Sequence, residues 1–144
     1  MTTNTTEKPA GPRSLARDFA VQFLYQCEAQ KIFHFSKPHF MDFVKYFKVP
    51  EKAQEFAEQL AEGALENSSQ LDDQIGSVLE NWNIQRVTVT DKAVLRVALF
   101  EMNSTDTPFK VILNEAVELA KKYGSEKSGS FVNGILDKLA ARKY

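Results

Sequence analysis

Apolar residues recur along this chain at intervals of three and four, and no stretch alternates apolar with polar positions for long enough to build a strand. Leu15, Phe19, Val21, Phe23 and Leu24 mark the inner face of a first helix, which Ser14 is expected to cap and which carries Cys27 inward. Phe33, Phe35, Phe40, Phe43 and Phe47 follow. Aromatic rings clustered at helical spacing are expected in the core rather than around a ligand. Pro50 suits a first helical position, where its missing N–H costs nothing. Behind it Phe56, Ala57, Leu60, Ala61 and Ala64 form one stripe, Ser68 and Ser69 punctuate it, and Leu71, Ile75, Val78, Leu79 and Trp82 resume the spacing.

The second half carries clearer start and stop signals. Thr90 reads as an N-cap, with Asp91 in a first turn whose dipole favours an acid. Val94, Leu95, Ala98, Leu99 and Met102 make this helix apolar on nearly every side, which places it at the centre of the fold. Thr107–Pro108 repeats the start signal. Val111, Ile112, Glu115, Ala116, Leu119 and Ala120 then run inward to Tyr123, and Gly124 is expected to close the helix in a left-handed conformation. A last helix packs Phe131, Val132, Ile135, Leu136 and Leu139. The expected fold is all-α: a bundle of about six or seven helices.

With 144 residues, 43% of them hydrophobic, the chain has enough material for one core without a disulfide or metal staple. The expected layout is a disordered tail over 1–12, rich in Thr, Pro and Gly, and a single helical domain over 13–144. Cys27 is the only cysteine, so an internal disulfide is impossible and a reducing, cytoplasmic setting is expected. The tail lacks the apolar segment of a secretory signal, and no apolar run approaches the roughly 20 residues that span a bilayer. The net charge of −1 hides an asymmetry. Between Glu51 and Glu80 stand eight acids against one base, Lys52, whereas Lys110 to Tyr144 holds seven bases against four acids. Such a chain has an acidic face and a basic face to offer, although both also suit ordinary solvated helix surfaces.

Catalytic and metal chemistry find little footing. His34 and His39 would point about 140° apart on a helix, and a zinc site needs roughly four converging ligands, so no metal is expected. Gly124 to Gly129 lacks the Gly-Lys-Ser/Thr ending and the preceding strand of a phosphate-cradling loop. Glu115 and Glu118 stand three apart without a partnering nucleophile. The expectation is no enzyme and no cofactor. One segment fits binding chemistry: Lys121, Lys122, Tyr123, Lys127, Ser128 and Phe131 gather around the start of a helix, where free N–H groups suit phosphate and a ring suits a base. Phe131 is equally spaced to pack inward beside Ile135.

The second half also resembles a known family. Asp91-Lys-Ala-Val-Leu-Arg-Val-Ala-Leu-Phe-Glu101, Pro108-Phe-Lys-Val-Ile-Leu-Asn-Glu-Ala-Val-Glu-Leu-Ala-Lys121 and Phe131-Val-Asn-Gly-Ile-Leu-Asp-Lys138 are similar, block by block, to the NusB family of bacterial transcription antitermination factors. Arg13, Ala16-Arg17 and Ala20-Val-Gln-Phe-Leu-Tyr25 resemble that family's opening helix, while residues 31 to 80 match no motif. The resemblance implies two small helical sub-bundles packed together. It implies binding to the ribosomal protein NusE, and to single-stranded boxA-type RNA of ribosomal RNA operons, with other Nus factors and RNA polymerase as indirect partners.

By position it implies RNA contacts at Arg13, Arg17, Lys110, Lys127 and Phe131, and a NusE-facing side at Tyr25 and Asp91. It also implies helix–helix hydrogen bonds at Asn114, Glu115 and Asn133. Ser14 and Leu15 stand where the family commonly has more arginines, and Gly129-Ser130 replaces a common His-Lys pair. Each lost phosphate contact removes part of the salt-dependent affinity, so weaker RNA binding by the isolated chain and greater dependence on NusE are expected. Two further readings accompany this one: an adaptor that has lost RNA recognition, and the NusB-like domain of a ribosomal-RNA methyltransferase, although the sequence shows no cofactor-binding α/β pattern. Both a monomer and a homodimer are compatible with these surfaces.

Overall fold

A computed structural model describes residues 10–80 and 84–144 of the chain. Nearly all of the tail expected over 1–12, and Trp82, lie outside the described residues. Within them stand seven α-helices and one 3₁₀ turn, with no strand: α1 Pro12–Gln30, α2 Lys37–Phe47, α3 Glu51–Glu66, α4 Ser68–Gly76, the turn Ile84–Arg86, α5 Val89–Ser104, α6 Phe109–Tyr123 and α7 Ser128–Lys143. The all-helical expectation holds.

Helix α5 is the hub. Val94, Leu95, Ala98, Leu99 and Met102 are all buried, and α5 touches α1, α3, α4, α6 and α7. The first half builds its own layer on α1. Ala53, Ala57, Ala61 and Ala64 bring α3 close along α1 because small side chains leave the backbones room. Phe40 and Phe43 of α2 meet Phe23 edge-on at 5.2 Å between centroids. The aromatic segment is therefore core in part: Phe40 and Phe43 are buried and Phe35 packs against them, while Phe33 and Phe47 are exposed. The two halves share one continuous cluster of buried side chains rather than two separate cores.

Several local signals act one or two residues away from where the sequence places them. Thr88, not Thr90, caps α5, its hydroxyl accepting from the Asp91 amide at 3.2 Å. Pro50 and Pro108 occupy the cap position itself, and Thr107 accepts from Thr105 instead of capping. Ser14 lies inside α1, which begins at Pro12, and donates to Glu115 Oε2 at 2.9 Å. Val111, expected inside, is 42% exposed. Gly124 is extended, with φ −100°, and the left-handed caps are Lys31 and Lys48. A glycine stands at 124 for space: a Cβ there would meet Ser128 Oγ at 2.2 Å and the Ala120 carbonyl at 2.8 Å.

Cys27 is buried as expected, and burial pushes its thiol up to about 11. A free cysteine titrates near 8.5 and reacts as the thiolate. A thiol reagent at pH 8 should label the folded protein far more slowly than the urea-unfolded chain; equal rates would contradict this burial. The raised value also sets a sign. The group's contribution is intact below the unfolded chain's pKa and is lost as pH climbs towards 11, so alkali weakens the fold here.

Candidate nucleic-acid interface

Helix α1 runs antiparallel to α5 and parallel to α6, and the pairings that fix this are polar. Arg17 reaches inward to Glu101 with two hydrogen bonds, Nε to Oε1 at 2.8 Å and Nη2 to Oε2 at 2.6 Å, and its Nη1 lies 3.6 Å from Glu115. Both members are buried, Arg17 at 5% and Glu101 at 1% exposure. Burial pulls the guanidinium's pKa down, and the hydrogen bond and charge of Glu101 outweigh it, leaving a net upward shift. The next residue, Asp18, accepts from Lys122 at 2.6 Å, from Gln22 at 2.9 Å and from the Tyr123 hydroxyl, tying α1 to the last turn of α6. The hydrogen bond to Asp18 raises the Lys122 pKa, and burial raises that of Tyr123.

This geometry sorts the expected RNA contacts. Arg17 faces the core with its donors committed to carboxylates, so the exposed phosphate contact expected there is not what the fold provides. Arg13, one turn earlier, is exposed and rests over the Phe56 ring, 3.7 Å from its centroid. Lys127 and Phe131 do come together. They line a groove of about 440 Å³ with Arg86, Thr88, Asp91 and Ser130, at the point where α5 and α7 both begin. Phe131 is half-buried, packed on the core with part of its ring in the groove.

Lys110 stands apart from that groove. Phe109 beside it meets Tyr144 at the far end of α7, ring centroids 6.0 Å apart, and α6 carries Lys110 about 16 Å along its axis from Lys121. The resemblance groups Lys110 with Lys127 and Phe131; the length of α6 sets Lys110 at the opposite end from the start of α7.

Tyr25 and Asp91 occupy neighbouring grooves. Tyr25, 47% exposed, lines an apolar trough of about 520 Å³ with Val21, Phe43, Phe47, Thr90 and Tyr123. Asp91 is 7% exposed, and its Oδ1 is buried without a hydrogen-bond partner. The two grooves meet across the first turn of α5, where Thr90 belongs to one and Asp91 to the other. Glu115 bridges helices as expected, whereas Asn114 and Asn133 are exposed and line a shallow polar groove between α6 and α7. Arg86 joins the groove of Lys127 and Phe131 without a motif to mark it. Its signal is slight: a single basic residue two positions before a capping threonine.

Among the described residues no three His, Cys, Asp or Glu side chains gather as metal ligands, and no helix is long and apolar enough to cross a membrane. The exposed acids of α3, from Glu51 to Glu66, form a separate face.

Comparison with known proteins gives concordant results. Residues 14–141 match the model of the NusB family. The chain is 43% identical over 132 residues to the transcription antitermination protein NusB of Anaeromyxobacter dehalogenans, covering 90% of each. It is 41% identical over 128 residues to the protein of that name from Bacillus velezensis, covering 88% of this chain and 94% of the other. Among solved structures, T. maritima NusB superposes with a TM-score of 0.79 at 36% identity, over 92% of this chain and 93% of that one. A crystal structure of antitermination factors NusB and NusE in complex with dsRNA contains a chain matching with a TM-score of 0.78 at 27% identity, over 92% of this chain and 98% of that one.

Proposed function

The chain belongs to the NusB family, and from that we propose that it is a transcription antitermination factor that works by binding, with no catalytic site. It holds single-stranded boxA-type RNA of ribosomal RNA operons jointly with the ribosomal protein NusE, and through them connects to other Nus factors and RNA polymerase. The setting is the cytoplasm, and residues 13–144 act as one domain. The observation that carries the RNA half is the groove where Lys127, Arg86 and Phe131 converge. Two cations supply phosphate contacts, and a partly open ring gives a base a face to stack on. Arg13 adds a further cation at the start of α1, and Lys110 stands at the start of α6, the end away from the groove. Arg17 contributes indirectly, by anchoring the turn that carries Arg13.

NusE takes the neighbouring flank, where Tyr25 offers an exposed ring above an apolar trough, and Asp91, nearly buried in the first turn of α5, marks the border between that trough and the RNA groove. An amphipathic aromatic ring beside an apolar trough is what a protein anchor uses. Titration of boxA-type RNA against a scrambled control, with and without NusE, tests this reading. Preferential binding of the boxA sequence by the pair supports it, and equal binding of both sequences contradicts it.

A second reading has one observation in its favour. With Arg17 turned inward and Ser14 bonded to Glu115, the first turns of α1 offer a single outward arginine, Arg13. An adaptor that keeps NusE and has lost RNA recognition would look the same at that end. It predicts NusE binding with no boxA preference.

A further inference from the structure

We infer that Phe56 of α3 is a positioning residue for RNA, its ring holding the Arg13 guanidinium at the mouth of α1 where that cation meets phosphate. This rests on the RNA reading above and adds to it a residue from the stretch 31–80, to which no motif gives a role.

Two arginines border one ring. Arg17 lies 5.5 Å from the Phe56 centroid and has its donors on Glu101 and Glu115. Arg13 lies at 3.7 Å and makes no hydrogen bond or ion pair among the described residues, so its charge and its N–H edge remain unused. The backbone beneath it is fixed. Ser14 is bonded to Glu115, Arg17 to Glu101, and Phe56 is itself 9% exposed within the α3 stripe packed on α1. A guanidinium over an aromatic face uses its π surface for that contact and keeps its in-plane donors for an anion. An arginine held in this way has lost side-chain freedom before the ligand arrives, and the cost of ordering no longer weakens binding. A lysine keeps a point-charge attraction to the ring but has no planar face to stack on it or fork of donors to hold in plane, so it is held less firmly.

The test uses the full chain in complex with NusE and fluorescently labelled boxA-type RNA, comparing Phe56→Met, Phe56→Tyr, Arg13→Lys and the double variant Phe56→Met with Arg13→Lys. Phe56→Met and Arg13→Lys should each weaken RNA binding about three- to five-fold, the scale of a partly exposed cation–π contact. Phe56→Tyr, which keeps the ring, should match wild type. The double variant should be no weaker than Arg13→Lys alone, because both changes remove one contact. The slope of log affinity against log salt should stay unchanged in all of them, since no charge is lost, whereas Arg13→Ala should flatten it by about 0.7. Wild-type affinity in folded Phe56→Met, or losses that multiply in the double variant, would overturn the inference. If Phe56→Met does not fold, Arg13→Lys decides: affinity equal to wild type overturns it. A wild-type complex that binds no RNA refutes the RNA reading itself, a result visible before any variant is compared.

Discussion

Replacing Glu101 with leucine should destabilise the fold by about 3 kcal/mol, the lower end of the range for removing one partner from a buried ion pair. The reason is that Arg17 stays behind: it is 5% exposed, and its remaining carboxylate, Glu115, is 3.6 Å away on one nitrogen only. A domain of this size has roughly 5–15 kcal/mol in total, so a large part of the margin disappears. The double replacement of Arg17 by methionine and Glu101 by leucine should recover most of the loss, since it leaves no orphaned charge. Urea unfolding of the three variants measures this. A single Glu101→Leu variant within about 1 kcal/mol of wild type would show that the pair does not hold α1 to α5, a smaller cost than leaving a buried charge unpaired allows.

The second large effect concerns affinity. Phe131→Ala should weaken boxA-type RNA binding by the NusE complex about ten- to a hundred-fold, the scale of one base stacked on an aromatic ring. Phe131 also packs on the core, so alanine removes packing as well as a platform. Phe131→Leu separates the two roles. It keeps an apolar side chain against the core while removing the flat face, and it should fall nearly as far in RNA affinity with a smaller change in the urea midpoint. NusE binding without RNA should be unchanged in both variants. Undiminished RNA affinity in a folded Phe131→Leu protein would mean that the ring serves packing alone.

How far these features could be read from the sequence depends on the range of the interaction involved. The α5 core and the Phe56–Leu60–Ala64 stripe of α3 follow from 3.6-residue periodicity, because burial of one helix face is a local pattern with a long-range cause. Capping positions were shifted where two candidates lie close together: Thr88 and Thr90 both have the hydroxyl, and only the backbone turn selects between them. Gly124 reads from the sequence as a left-handed cap, but its purpose is the close approach of Ser128, which the capping rule does not encode. The orientation of Arg17 was hidden because its partner lies 84 residues away. The resemblance to a family places an arginine at a position without saying which way it points. Lys110 was grouped with Phe131 for the same reason: sequence order says nothing about an antiparallel helix pair carrying the two to opposite ends.

The difference between Arg13 and Arg17 has a functional meaning. One cation maintains the architecture, and the other, held over Phe56 a turn away, remains available to an anion. A basic count over the first turns of α1 would treat them as equal contributors to RNA affinity. The fold leaves one exposed over an aromatic ring and ties the other to buried carboxylates.

RNA on this reading lies where α5 and α7 begin, against Lys127 and Phe131, and runs on towards Arg13 at the start of α1. Photo-crosslinking of 4-thiouridine-substituted boxA-type RNA to the complex with NusE, followed by mapping of the modified peptides, tests it directly. Adducts are expected on the peptide containing Phe131 and on the opening peptide of α1. Adducts confined to the acidic helices α3 and α4, with none at Phe131, would contradict it.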